Sequence, residues 1–183
     1  MNNLQKIYEE KVKKSSDINE HLPILKKYAE ECDCIVEMGV RTIVSTWAFL
    51  IGKPKKIISI DYKHPEEYQS FDLPLVEELA KENNVDFNFI LSDSRTVDIP
   101  MCDLLFIDTL HTYNQIKEEL KVHSSKVKKY IIFHDTETFR INGEATGESG
   151  IWSAIEEFLS ENVEWVIHEV YTNNNGLTII KKI

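Results

Sequence analysis

The sequence has no apolar run near the roughly 18 residues that a membrane span needs, and it is sparing with several other things. Six glycines and five prolines in 183 residues argue against collagen-like or linker-rich chains. Three cysteines, Cys32, Cys34 and Cys102, cannot build a disulfide framework, and no second pair completes a zinc site. Reduced, partly buried thiols are expected. Positive charge is short: 21 Lys and Arg face 31 Asp and Glu, a net charge of −10. A nucleic-acid groove needs basic stripes, so none is expected, and there is no basic amphipathic helix for a membrane surface. The opening MNNLQKIYEEKVKK lacks an apolar signal core, which predicts a cytoplasmic protein. The partner left by these exclusions is a small molecule.

What is present reads as alternating helix and strand. Residues 3–14 and 17–32 predict helices, the second with a capping-box start at Asp17 and Glu20 and an apolar stripe of Leu22, Leu25, Tyr28 and Ala29. Short apolar runs predict strands at 34–39, 56–62, 86–91, 103–108 and 129–134. Helices fall between them at 45–52, 73–84 and from Thr112, whose spacing to Gln115 fits a cap. Such alternation points to parallel pairing through right-handed crossovers, with both sheet faces covered. The end differs. After a helix at 150–161, capped by Ser149, the strands 165–171 and 177–180 flank an Asn-Asn-Asn-Gly turn, a hairpin signal. The expected fold is α/β, a mostly parallel sheet with helices on both faces and an antiparallel C-terminal hairpin. One domain is expected, with residues 1–32 a helical extension and 33–183 a Rossmann-like core.

Ligands of open parallel sheets bind beyond the carboxyl ends of the strands. That rim carries Glu37, Asp61, Asp93, Asp108 and Asp135, and five acids on one rim suggest a shared site. Asp61 stands 22 residues after Gly39, close to the spacing at which an acid holds ribose hydroxyls. A pyrophosphate-binding dinucleotide loop would need glycines where Arg41 and Val44 stand, and Glu37 would repel a pyrophosphate. A nucleoside carrying a positive sulfonium and no phosphate suits these residues better.

The runs Glu37 to Trp47, Ile60–Asp61, Ser92 to Ser94, Phe106 to Tyr113 and Phe133 to Thr136 stand in the order of class I S-adenosylmethionine-dependent methyltransferase motifs. Over residues 33–183 the chain resembles the branch that includes macrocin and other sugar O-methyltransferases. The resemblance implies a Rossmann-like methyltransferase fold and methyl transfer to a hydroxyl of a small polar, sugar-like acceptor. It implies that Gly39 and Ser45 line the methionine end of the cofactor, Asp61 holds the ribose, and Asp93 with Ser94 contacts adenine. Many relatives carry glycine where this chain has Ile43, which predicts a tighter approach of the backbone to the cofactor.

Asp108 and Asp135 end strands that should be neighbours, about 4.8 Å apart. Carboxylates that close need a proton or cation between them, and a hard ion such as Mg²⁺ fits. The related sugar methyltransferases place two acids at the level of Asp135. This chain offers His134 and Asp135 there, so Asp108, His134 and Asp135 form the expected metal set. His111 precedes the cap Thr112 at the positive end of a helix, which predicts a neutral ring able to take a proton from the acceptor. The glycine-bearing stretch 137–149 reads as a lid or an ordinary loop, with Arg140 as a contact for an anionic group. Two other readings stay open: a nucleoside-binding protein without catalysis, and a metal-dependent enzyme of another reaction class. The sequence does not settle whether copies of the chain assemble.

Overall fold

The computed structural model describes residues 3–144 and 147–183. Seven strands form one sheet: β1 (Cys34–Met38), β2 (Lys56–Asp61), β3 (Asp86–Leu91), β4 (Cys102–Ile107), β5 (Val127–His134), β6 (Trp165–Tyr171) and β7 (Leu177–Lys182). Their spatial order is β3-β2-β1-β4-β5-β7-β6. The first five pair in parallel, and β7 runs antiparallel between β5 and β6. The order runs one way from β1 through β2 to β3 and the other way from β4 to β5. The carboxyl ends of β1 and β4 therefore flank the switch point where a crevice opens.

The helices are α1 (Asn3–Lys13), α2 (Leu22–Ala29), α3 (Ser45–Ile51), α4 (Leu73–Glu82), α5 (Tyr113–His123) and α6 (Ile151–Glu161). The pleat sends alternate residues of β1 to opposite faces. Ile35 joins a core with α1 to α4, through residues such as Leu4, Leu25, Phe49 and Val76. Val36 and Met38 join the other core with α5 and α6, through Ile116, Leu120, Ile155 and Phe158. The strands at the centre are apolar on both sides because both sides are covered. Among the described residues no helix is long and apolar enough to cross a membrane.

The hairpin forms as its turn residues dictate: Asn174, Asn175 and Gly176 take φ of 45°, 70° and 94°, the left-handed values that Asn and Gly tolerate best. Two caps differ from expectation. Asp17 does not start a helix; its carboxylate lies 2.8 Å from the Arg41 guanidinium. The stretch from Asn19 is a 3₁₀ turn, with Pro23 in the first turn of α2. The α6 cap is Gly150 without a side-chain bond, and Ser149 instead bridges to Asn142 and accepts from the Tyr113 amide. The amino-terminal segment is tied to the hairpin: Asn174 Oδ1 accepts from the Glu20 amide, and its side-chain nitrogen donates to the Ser16 carbonyl.

Candidate active site

A cleft of about 490 Å³ opens over the carboxyl ends of β1, β2 and β4, within the range of small-molecule sites. Gly39, Ser45, Asp61, Asp93, Ser94, Asp108 and His111 line it. Gly39 has φ +85°, and a Cβ there would fall 1.8 Å from the Asp108 carbonyl oxygen, so this turn against β4 requires glycine. Arg41 and Ile43 also adopt left-handed φ, 44° and 58°, a conformation that costs a side-chain-bearing residue roughly 1–2 kcal/mol. Asp61 offsets the strain. One of its oxygens accepts from the Val40 and Arg41 amides at 2.8 Å, the other from the Lys63 amide at 3.0 Å. It orders the loop and still faces the cleft.

Glu37, expected beside the cofactor, is elsewhere. The pleat turns it towards α3, where it is fully buried. Ser45, Thr46 and Ser59 donate their hydroxyls to its two oxygens at 2.5, 2.8 and 2.6 Å. Burial pushes its carboxyl up to about 7, against the pull of those hydroxyls. Glu37 fastens the first turn of α3 to β1 and β2 and touches no ligand space. Ser45 does line the cleft, with its proton committed to Glu37.

At the β3 end the expected adenine contacts are largely spoken for. The Asp93 carboxylate accepts from the backbone amide, Nε and Nη2 of Arg95. Ser94 donates to Glu119 at 2.5 Å. Glu119 is fully buried and also accepts from Gln115 at 2.7 Å and Thr109 at 3.0 Å. Gln115 lines the cleft. Sequence reasoning used it only as cap spacing and missed Glu119, since neither lies near a strand end in sequence. The Thr112 hydroxyl does accept from the Gln115 amide, at 3.4 Å.

At the β4 and β5 ends the structure gathers Asp108, His111 and Asp135. His111 Nε2 stands 3.2 Å from Asp108 Oδ1 and 3.0 Å from Asp135 Oδ2, and its Nδ1 is 2.9 Å from Glu144 Oε2. The Phe139 ring stacks on the imidazole at 4.7 Å. The neutral ring expected from the helix dipole is overturned here. Burial alone would lower the pKa of His111, but the hydrogen bonds and charges of Asp108 and Asp135 raise it to about 10. Local carboxylates outweigh a terminal half-charge. Burial likewise opposes ionisation of Asp108, yet His134 and His111 hold it well below the ordinary carboxyl value.

Donor atoms of Asp108, His111 and Asp135 all lie within 4.8 Å of one another. Among the described residues Asp135 Oδ1 is buried with no hydrogen-bond partner, His134 Nδ1 standing 3.6 Å away, and a cation would satisfy it. Two carboxylates and an imidazole fit a divalent ion. His134, expected as a ligand, is outside that group. It is buried behind the strand ends, with Nδ1 3.4 Å from Asp108 Oδ1 and Nε2 3.3 Å from the Asn174 carbonyl. Of the 137–149 stretch, residues 145 and 146 lie outside the described residues. The Glu144 amide donates to the His111 carbonyl at 3.0 Å. Arg140 does not reach the cleft; its guanidinium lies over Trp152 at 4.2 Å and beside Glu137.

No protein-family model and no curated protein sequence matches the chain. Solved structures do. The O-methyltransferase from Bacillus cereus in complex with SAH aligns at TM-score 0.67 and 12% identity, covering 98% of this chain and 90% of that one. The O-methyltransferase TomG from Streptomyces achromogenes, involved in tomaymycin synthesis and solved with SAM, aligns at 0.66 and 12%, covering 100% and 90%. The SAH-bound Podospora anserina methyltransferase PaMTH1 aligns at 0.61 and 15%, covering 100% and 89%. The chain shares the Rossmann-like fold of these solved structures.

Proposed function

We propose that the protein is an S-adenosylmethionine-dependent O-methyltransferase whose acceptor is a hydroxyl of a small polar molecule, a sugar or glycosylated metabolite. One observation carries this reading: a single cleft is lined both by the Gly39 loop with Asp61 and by Asp108 with His111. A nucleoside site and an acid–imidazole cluster thus share one space. The reading carries with it one catalytic domain, a cytoplasmic location and a diffusible acceptor.

The residues fit the cofactor. A carboxylate has about four acceptor positions, so Asp61 can hold the loop amides and still accept from ribose hydroxyls. The loop offers Arg41 and Val44 in place of the glycines a pyrophosphate needs. Bound there, S-adenosylmethionine supplies an electrophilic methyl group on a sulfonium. A divalent ion such as Mg²⁺, held by Asp108 and Asp135 with the His111 ring left free beside them, would add positive charge that lowers the pKa of the acceptor hydroxyl. His134 fixes the Asp108 carboxylate from behind. While Asp108 and Asp135 are ionised and no other cation meets them, His111 keeps its proton. When their charge is met, the ring becomes the proton acceptor beside Asp108.

Calorimetric titration with S-adenosylhomocysteine, with and without Mg²⁺, tests the reading. Micromolar binding that weakens sharply in Asp61→Ala supports it, provided the variant keeps its thermal midpoint, because Asp61 also orders the loop. Methyl transfer to hydroxylated sugars, lost in Asp108→Asn and reduced in His111→Ala, completes the test. No heat and no thermal stabilisation in either condition would remove the reading.

A further inference from the structure

We infer that Gln115 reads the 6-amino group of the cofactor's adenine and that buried Glu119 fixes which end of the Gln115 amide faces the cleft; this rests on the cofactor reading above. The two protons of the Gln115 side-chain nitrogen are both committed, one to Ser94 Oγ at 3.1 Å and one to Glu119 Oε1 at 2.7 Å. Among the described residues the amide carbonyl takes no donor, and it is not among the buried atoms lacking partners. It therefore remains an accessible acceptor on a residue that lines the cleft.

Glu119 is what makes that orientation one-sided. Burial raises its carboxyl, but three donors, from Ser94, Gln115 and Thr109, oppose that by converging on its oxygens, and a carboxylate held by three donors is left only to accept. Turning the amide over would set its carbonyl against the carboxylate and leave a buried acceptor unpaired. Of its neighbours, Asp93 stands at the exposed rim, shared through both oxygens with Arg95, and the Ser94 proton goes to Glu119, whereas Gln115 is buried with its carbonyl preset. A fixed acceptor favours a ligand that donates. Adenine donates at position 6, whereas hypoxanthine presents a carbonyl there.

Calorimetry compares S-adenosylhomocysteine with S-inosylhomocysteine, in which the 6-amino group becomes a 6-oxo group and N1 gains a proton. The wild type should favour the amino ligand by about tenfold or more, as one made and one frustrated hydrogen bond imply. Gln115→Leu should bring the two affinities close to parity, mainly by weakening the amino ligand. Glu119→Gln gives the buried partner a donor as well as an acceptor, so the Gln115 amide can turn over. Its preference should fall to parity or invert although residue 119 touches no ligand. A loss of stability alone would weaken both ligands equally. Equal wild-type affinities, or an unchanged preference in Gln115→Leu, overturn the inference and leave the cofactor reading standing. Wild-type binding of neither ligand removes both. If Glu119→Gln does not fold, Gln115→Leu decides.

Discussion

Glu37 is a carboxyl in a place that disfavours its charge, and removing the charge should stabilise the protein in a way that depends on pH. An ordinary glutamate ionises near 4.5, but burial among α3, β1 and β2 raises Glu37 to about 7. Between those values the unfolded chain releases a proton that the folded chain retains. Stability is thus present at low pH and falls as pH rises through the folded value, the reverse of a salt-bridged carboxylate. With about 1.36 kcal/mol for each decade of difference, the wild type should lose roughly 2–3 kcal/mol between pH 5 and 8 through this group. Glu37→Gln keeps the shape and the capacity to bond Ser45, Thr46 and Ser59, without a titrating proton. Urea unfolding of both proteins at pH 5, 6, 7 and 8 isolates the effect, since all other groups cancel in the difference. Near pH 5 the two should be similar. By pH 8 the variant should gain stability relative to the wild type, seen also as a midpoint higher by about 5–10 °C. A difference that stays constant across this range would show that the three hydroxyls outweigh burial and that Glu37 ionises normally.

Gly39→Ala should lose at least about 3 kcal/mol in urea unfolding, since left-handed backbone strain and a forced displacement of β4 add together; wild-type stability would refute the packing of this turn. Titrating Mn²⁺ or Mg²⁺ near pH 8 should raise the thermal midpoint and displace the His111 proton, because that ring titrates at about 10 without another cation. Calorimetry in two buffers of different ionisation enthalpy detects the released proton, and identical heats would count against it. Arg41→Gly relieves a left-handed residue but breaks an exposed ion pair to Asp17, so its stability should stay within about 1 kcal/mol of wild type. A loss beyond about 2 kcal/mol would instead mean that the Asp17 contact holds the loop.

Much of the fold was legible because the signals were local. The apolar runs at β1, β4 and β5 are buried on both faces, and the Asn-Asn-Asn-Gly turn permits little but a hairpin. Strand order also brought Asp108 and Asp135 together before any distance was known, since β4 and β5 had to be neighbours. What escaped was direction and competition. Glu37 lies in the strand whose end borders the site, yet the pleat points it into the core. His111 was judged by the helix after it, whereas two carboxylates within 3.2 Å decide its charge. Gln115 and Glu119 meet Ser94 only through the packing of α5 against β3's end, 21 and 25 positions away in sequence. No periodicity records such a meeting.

The loop from Gly39 to Ser45 shows how these two kinds of information combine. Its backbone visits left-handed conformations at three positions, and only the first is glycine. The other two persist because their surroundings over-determine them. Asp61 clamps the amides on either side of the Val40–Arg41 link, and the Ile43 side chain is wholly buried in the core beneath α3. A loop of glycines would reach the same shape with less strain but would lose more conformational entropy on ordering. Here the shape is held by the acid at the end of β2 and by Glu37 under the first turn of α3. Both acids sit one strand apart, one facing the cleft and one facing the core, and together they present Ser45 and the loop amides as a rigid floor. Rigidity of that kind, set before any ligand arrives, is what the proposed methyl transfer would need to hold a reactive centre against Asp108 and His111.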